Sequence, residues 1–358
     1  MIKTIIFLIL LGFSFFPALL TPDRIIDELY LVMAVGYDYV DEQLFTGTVV
    51  APNYKVDNTI ENITFSDTSS LIYQNREKLE AKSPRPLVSG KLEVALYNRE
   101  LAEKTGIIEQ IDNLQRDPNV GSRVLLAIFE GSTEKLLQKK FTDESTGIYL
   151  SNLIDQNVSF DNLPMTNLHT FEFSYFVKGM DPILPLLVEE NEKVKVKGVA
   201  LFKNDKMVAD LNKVEFLYFK SMHENFRNGT MYIKLENEEE AFLTNIESSR
   251  NFEVQQKDGR LNITITLKME GIIREYSGKS VDSKTLKNIE QQINEDIQSK
   301  SDEMIKQFQD MNIDPIGIGH QVSHRLRNVD DINWREVFPT VNVNVKADFT
   351  ILEHGVIK

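Results

Sequence analysis

The 358-residue chain carries a net charge of −14, with 42% hydrophobic residues, 26% charged residues and no cysteine. That balance is globular, and the length exceeds one ordinary core, so two or three domains are expected. The acid excess excludes the basic surface that nucleic acid requires and argues against electrostatic docking on anionic lipid. Absence of cysteine excludes disulfides, thiolate metal sites, thiol nucleophiles and a thioether-linked lipid anchor.

After Met1-Ile2-Lys3, the run Thr4 to Leu20 has no charged side chain and is rich in Ile, Leu and Phe. A lysine followed by such a run matches the n- and h-regions of an export signal. As a helix it would span about 25 Å, slightly short of a bilayer core. Phe16-Pro17-Ala18 is a poor cleavage site. Residues 1–21 are therefore expected to be an export signal or signal-anchor helix, with the remainder outside the cytoplasm.

Leu31 to Val35 reads as a strand running into a turn at Gly36-Tyr37-Asp38, and Leu44 to Ala51 as a second strand ended by Pro52. Asn53 to Thr64 is polar and reads as a surface loop, and Ser66-Asp67 offer caps for a helix through Ala81. Ser83-Pro84-Arg85-Pro86 breaks it. Leu87 to Tyr97 alternates as a strand. Asn98 to Arg116 reads as one helix with Leu101, Ile108, Ile111 and Leu114 inward, stopped by Asp117-Pro118. Arg123 to Phe129 is an apolar strand, and Ser132-Thr133-Glu134 cap a further helix. Phe171, Phe173, Tyr175 and Val177 alternate with polar partners, as in a half-buried strand. The charged stretch Glu189-Glu190-Asn191-Glu192-Lys193 is the expected boundary. It divides an N-terminal domain, 22–190, from a C-terminal domain, 191–358, of one or two modules.

Beyond it, Gly198 to Lys203 is a strand ending in a turn at Asn204-Asp205. Ile263, Ile265, Leu267 and Met269 alternate with polar residues, so one face is buried. Leu286, Ile289, Ile293, Ile297, Met304, Phe308 and Met311 recur every three, four or seven positions, with a gap at Lys300-Ser301. This spacing predicts one long helix from Asp282 to Met311, roughly 45 Å in length. Val341, Val343, Val345, Ala347, Phe349 and Ile351 share one face of a last strand. The expected fold is α+β: mixed and antiparallel sheets with packed helices in two to three modules.

Chemistry is hard to find. His320-Gln321-Val322-Ser323-His324 places two imidazoles one helical turn apart, but a zincin needs Glu where Gln321 stands. The pair reads as surface histidines. His169, His223 and His354 have no local partner. There is no G-x-S-x-G elbow, and Ser277-Gly278-Lys279-Ser280 lacks the upstream glycine of a phosphate-binding loop. Glu238-Glu239-Glu240 is an ordinary solvated face. No catalytic, cofactor-binding, metal-binding or lipidation residue is assigned.

Asn312-Ile313-Asp314-Pro315-Ile316-Gly317-Ile318-Gly319 resembles the D-x-x-G-x-G stretch of the Ger(x)C family, the C subunits of spore nutrient germinant receptors. As in that family, it follows a long helix and precedes a tryptophan, Trp334, and a V-x-V-x-V strand, Val341 to Val345. Gly198 to Val208 is similar to the family's G-x-A-V-F-K-x-D-K-M strand and turn. Asp23-Arg24, Gly36-Tyr37-Asp38 and Leu114-Gln115-Arg116-Asp117 are looser matches. The resemblance runs from about residue 23 to 358.

It implies three compact α/β modules, one before the boundary and two after it, and no catalytic residue or cofactor. It also implies assembly with integral-membrane A and B subunits on the extracytoplasmic face of the spore inner membrane. Asp314, Gly317 and Gly319 are expected to be structural, the glycines permitting positive φ in a turn. Family members are typically lipoproteins, whereas here Leu20-Thr21 replaces the acylated cysteine, so attachment must come from the N-terminal helix or from partners. Two other readings remain open: a secreted hydrolase, for which no nucleophile–base set is visible, and an anchored extracytoplasmic solute-binding protein.

Overall fold

The computed structural model describes residues 28–55, 59–235, 238–257, 260–326 and 333–354. The expected export signal or anchor, 1–21, and the Asp23-Arg24 match lie outside the described residues. Among the described residues no helix is long and apolar enough to cross a membrane.

The chain opens with β1 (Tyr30–Leu31), β2 (Ala34–Tyr39), β3 (Phe45–Tyr54) and β4 (Ile60–Ser69). Gly36-Tyr37-Asp38 lies inside β2 instead of forming a turn. The turn comes later, where the Asp41 carboxylate accepts from the amides of Gln43 and Leu44, both at 2.8 Å. β3 runs on through Pro52 because its pairing with β2 ends at Val50, so no ladder bond is asked of the missing amide. Of the expected loop over 53–64, the described ends are paired strand, β3 running antiparallel to β4 up to Tyr54–Ile60, with Thr46–Thr68 and Thr48–Ser66 hydroxyl contacts of 2.8 and 3.0 Å further along the pair. Ser66 and Asp67 are thus strand residues, and the helix starts only at Ile72.

That helix is α1 (Ile72–Lys82), whose Lys78 and Lys82 reach back to Asp67 at 3.2 and 2.7 Å. The strand expected over 87–97 is two, β5 (Leu87–Val88) and β6 (Val94–Asn98), separated by a turn at Gly90-Lys91. The single helix expected over 98–116 is also two, α2 (Arg99–Lys104) and α3 (Ile108–Arg116). Gly106 breaks it at φ +85, with the Asp205 side chain filling the space a Cβ would take. α3 does stop before Asp117-Pro118.

β7 (Leu125–Glu130), α4 (Thr133–Leu137) and α5 (Thr146–Ser159) follow. Ser132 caps α4 as expected, accepting from the Lys135 amide at 3.3 Å. The Phe171–Val177 segment is not a strand. It belongs to α6 (Leu168–Phe176), set off by a capping box between Asn167 and Thr170. Phe171 is buried while Phe173 and Phe176 face outward, a helical arrangement that short alternation mimicked.

β8 (Ile183–Glu190), β9 (Lys193–Lys203) and β10 (Lys206–Asn212) complete an eight-stranded sheet in the order β10-β9-β8-β7-β6-β2-β3-β4. Its centre, β2-β6-β7-β8, is parallel and its flanks are antiparallel. The charged stretch at 189–193 is the β8–β9 hairpin turn, with Asn191 and Glu192 at φ +51 and +61. The sheet therefore continues without interruption to Asn212.

The second unit holds α7 (Lys213–His223), β11 (Phe226–Lys234), β12 (Glu240–Lys257), β13 (Arg260–Tyr276) and α8 (Ser283–Met311). It ends with α9 (Ile318–Arg325), α10 (Trp334–Val337) and β14 (Asn342–His354). Asp282 caps α8, accepting from the Lys284 and Thr285 amides at 3.1 and 2.8 Å. Ile289, Ile293, Ile297, Met304 and Phe308 are buried as the stripe predicts, and the gap in it is filled by a buried Ser301. The sheet order is β11-β12-β13-β14. The long helix does not sit beside purely antiparallel strands: β14 pairs in parallel with β13, because α8 is the crossover that returns the chain to the same end.

The two faces of the large sheet carry separate cores. One packs Leu101, Ile107, Ile111, Leu168 and Phe171 against the strands. The other, with Leu136, Leu150, Ile154 and Phe219, runs on unbroken into the four-stranded sheet and α8.

Candidate functional site

Asn312 closes α8 at φ +53, and the Ile313 amide reaches back to the Phe308 carbonyl at 3.0 Å. The next residue, Asp314, is 2% exposed. Its Oδ1 accepts from the amides of Gly317 and Ile318, both at 2.9 Å, and its Oδ2 from the Gly319 amide at 2.8 Å and the Trp334 indole at 2.9 Å. The carboxylate thus caps α9, at the helix end that favours negative charge. Burial pushes the Asp314 pKa up to about 7, and the Asp181 charge adds to this, while the Gly319, Ile318 and indole donors pull it down.

The two motif glycines serve different ends. Gly317 sits at φ +76, where a side chain is strained, as expected. Gly319 does not have positive φ. It is a helical residue over which the Trp334 ring lies, so that a Cβ would come within 2.6 Å of three ring atoms.

A second buried carboxylate, Asp181, stands beside the first. Its Oδ2 accepts from the Asp314 amide at 2.7 Å and from Arg335 Nη1 at 2.8 Å, and its Oδ1 from Arg335 Nη2. This is the two-pronged pairing that guanidinium geometry favours. The Asp181 amide donates in return to the Asp314 carbonyl at 2.9 Å. Arg335 also donates to the Asn312 carbonyl at 2.8 Å and to Asn204 Oδ1 at 3.2 Å. Gly179, at φ +79, lets the loop before β8 touch the motif backbone: a Cβ there would lie 2.7 Å from Gly319 Cα. The His320 amide donates to the Gly179 carbonyl at 2.9 Å.

The arrangement is a lock between units. One half is the loop Gly179–Asp181 and the β9–β10 turn at Asn204, and the other is the turn after α8 with α10. All four carboxylate oxygens are occupied by donors, so neither acid is poised to move a proton to a substrate. Asp314, Gly317 and Gly319 are brought together with Trp334. The sequence reading missed Gly179, Asp181, Asn204 and Arg335. The one local mark was the Asp181-Pro182 pair just ahead of the apolar start of β8.

The histidines are dispersed. His223 is half-buried in α7 and its Nδ1 contacts the Pro315 carbonyl at 3.0 Å. Burial, with the nearby Arg250 and Lys220 charges, pushes its pKa down to about 4. His169 is exposed on α6, and the side chain of His354 lies outside the described residues. His320 and His324 face each other on α9. Among the described residues, no three or more His, Asp or Glu side chains are grouped so as to hold a metal ion.

The family description "Spore germination protein N-terminal domain" matches residues 22–189, and "Spore germination B3/ GerAC like, C-terminal" matches residues 197–355. The chain belongs to the Ger(x)C spore germination family. Among Ger(x)C relatives, "Spore germination protein GerQC" of Bacillus cereus is 28% identical over 99% of both chains. "Putative spore germination protein YfkR" of Bacillus subtilis (strain 168) is 22% identical over 82% of this chain and 79% of its own. The crystal structure of the GerBC protein superposes with a TM-score of 0.62 at 15% identity, covering 90% of this chain and 98% of that one. That likeness concerns the fold, and it agrees with the α+β architecture expected of a Ger(x)C chain.

Proposed function

We propose that this protein is the non-enzymatic, extracytoplasmic C subunit of a nutrient germinant receptor, acting in receptor assembly and germinant-triggered spore germination. The observation that carries the reading is the match to spore germination families over residues 22–189 and 197–355, and the fully paired carboxylates of the D-x-x-G-x-G turn support a structural part for that motif. Its partners are integral-membrane A and B subunits, and its place is the extracytoplasmic face of the spore inner membrane. The apolar run Thr4 to Leu20 supports attachment through the N-terminal helix, since no cysteine is present for acylation. A single inserted helix holds more firmly than one acyl chain would.

The test is capture of the tagged full-length chain from detergent-solubilised spore membranes. Co-elution of two multi-spanning proteins is expected, together with loss of the response to one class of nutrient when the gene is deleted. A chain recovered alone, from spores whose germination is unaffected by the deletion, would overturn the reading. Calorimetry of the isolated chain with amino acids and sugars separates it from a solute-binding protein, which would bind on its own.

A further inference from the structure

α9 carries one pair of side chains that the lock does not use. His320 and His324 lie one turn apart, with their Nε2 atoms 3.2 Å from each other. The rings are nearly perpendicular, at 86°, and their centroids are 4.5 Å apart. The centroids are farther apart than the nitrogens, so the two Nε2 ends lean toward a common point. At this spacing one ring can donate to the other, the donor being set by the tautomer.

Two metal–imidazole bonds of about 2.0–2.1 Å meeting at a tetrahedral angle separate their nitrogens by about 3.3–3.4 Å. The observed spacing is already close to that value. His320 is also held in place, edge-on to Phe173 of α6 with centroids 5.5 Å apart, while its amide is tied to Gly179. The pair spans α9, with His320 in its first turn and His324 in its last.

We propose that His320 and His324 chelate one divalent transition-metal ion of the zinc, nickel or copper class through their Nε2 atoms. Neutral imidazoles suit these ions, and two protein ligands leave the remaining coordination positions open to solvent. Such a site exchanges its ion reversibly and is distinct from the structural metal centres that hold four ligands.

The experiment is calorimetric titration of the full-length chain in detergent, at neutral pH, with zinc chloride and separately with nickel chloride. Saturable binding of one ion per chain is expected, reversed by a chelator. His324→Ala and His320→Ala should each weaken it about tenfold or more. Zinc should raise the melting temperature of the wild-type chain and not that of His324→Ala, whose metal-free melting temperature reports that it is folded. Absence of saturable binding would overturn the proposal. So would equal binding by His324→Ala, which would place the ion on the acidic surface instead.

Discussion

Replacing Gly319 by Ala adds a single methyl group facing the one tryptophan in the chain. The added Cβ would come within 2.6 Å of three Trp334 ring atoms, so the ring must move. It is not free to do so: its nitrogen donates to Asp314 at 2.9 Å and its face leans on Phe338, with centroids 5.3 Å apart. Overpacking of this kind costs about 1–3 kcal/mol. Losing the indole bond to a buried carboxylate adds about 1.5–3 kcal/mol. The expected destabilisation is about 3–5 kcal/mol, read from urea unfolding followed by circular dichroism. Gly319→Ala in a Trp334→Ala background should lose most of that penalty, because the obstacle is gone and alanine favours the helix by about 1 kcal/mol. Gly317→Ala should behave differently. Its cost of about 1–2 kcal/mol comes from positive φ and should persist without the ring. If Gly319→Ala matches the wild type, or its penalty survives in the double variant, ring contact is not why glycine stands there.

Ile293→Ala should destabilise the chain by about 2–5 kcal/mol in the same assay, since Ile293 is fully buried in α8; unchanged stability with lost co-purification of membrane partners would make that helix a docking face. The His223 pKa lies near 4 in the folded chain and near 6.5 unfolded, so the native state binds fewer protons between these values. The His223 contribution should therefore be complete above pH 6.5 and be lost, by about 3 kcal/mol, as pH drops from 6.5 through 4, read as the difference in pH dependence between the wild type and His223→Gln. Mass spectrometry of the natural N-terminus should find the apolar segment retained in the membrane fraction. A soluble chain starting near Thr21 would refute anchoring by that segment.

What the residues reveal in advance depends on whether the cause is local. The α8 stripe, the β13 alternation and the Ser132 cap are short-range patterns, and each stands where the sequence places it. Gly106 breaks a helix because Asp205, on a distant turn, occupies the space beside it, and no local pattern carries that information. β2 is covered on both faces, which removes the alternation that would have extended the strand through Gly36 and Asp38. α6 was hidden because four aromatic and aliphatic residues happened to alternate, while the decisive Asn167–Thr170 capping box is a two-residue signal. At the site, the motif's own turn was legible, but its partner Asp181 was not. An isolated acid gives no sign of the arginine it will meet 154 positions later.

The parallel seat of β14 bears on the order in which the chain can acquire its shape. β13 receives its second neighbour only after α8, the Asp314 turn and α10 have been made, a separation of 80 residues at the Asn262–Asn342 contact. Contacts of such long range form slowly, since the intervening loop must first be closed. Until then β13 is a bare sheet edge of 17 residues, open to pairing with any extended segment nearby. The lock at Asp181 waits on the same stretch, because Arg335 precedes β14 by only a few residues. Maturation of the whole molecule therefore ends with its C-terminal quarter, and a chain cut short after α8 would be left sticky as well as incomplete.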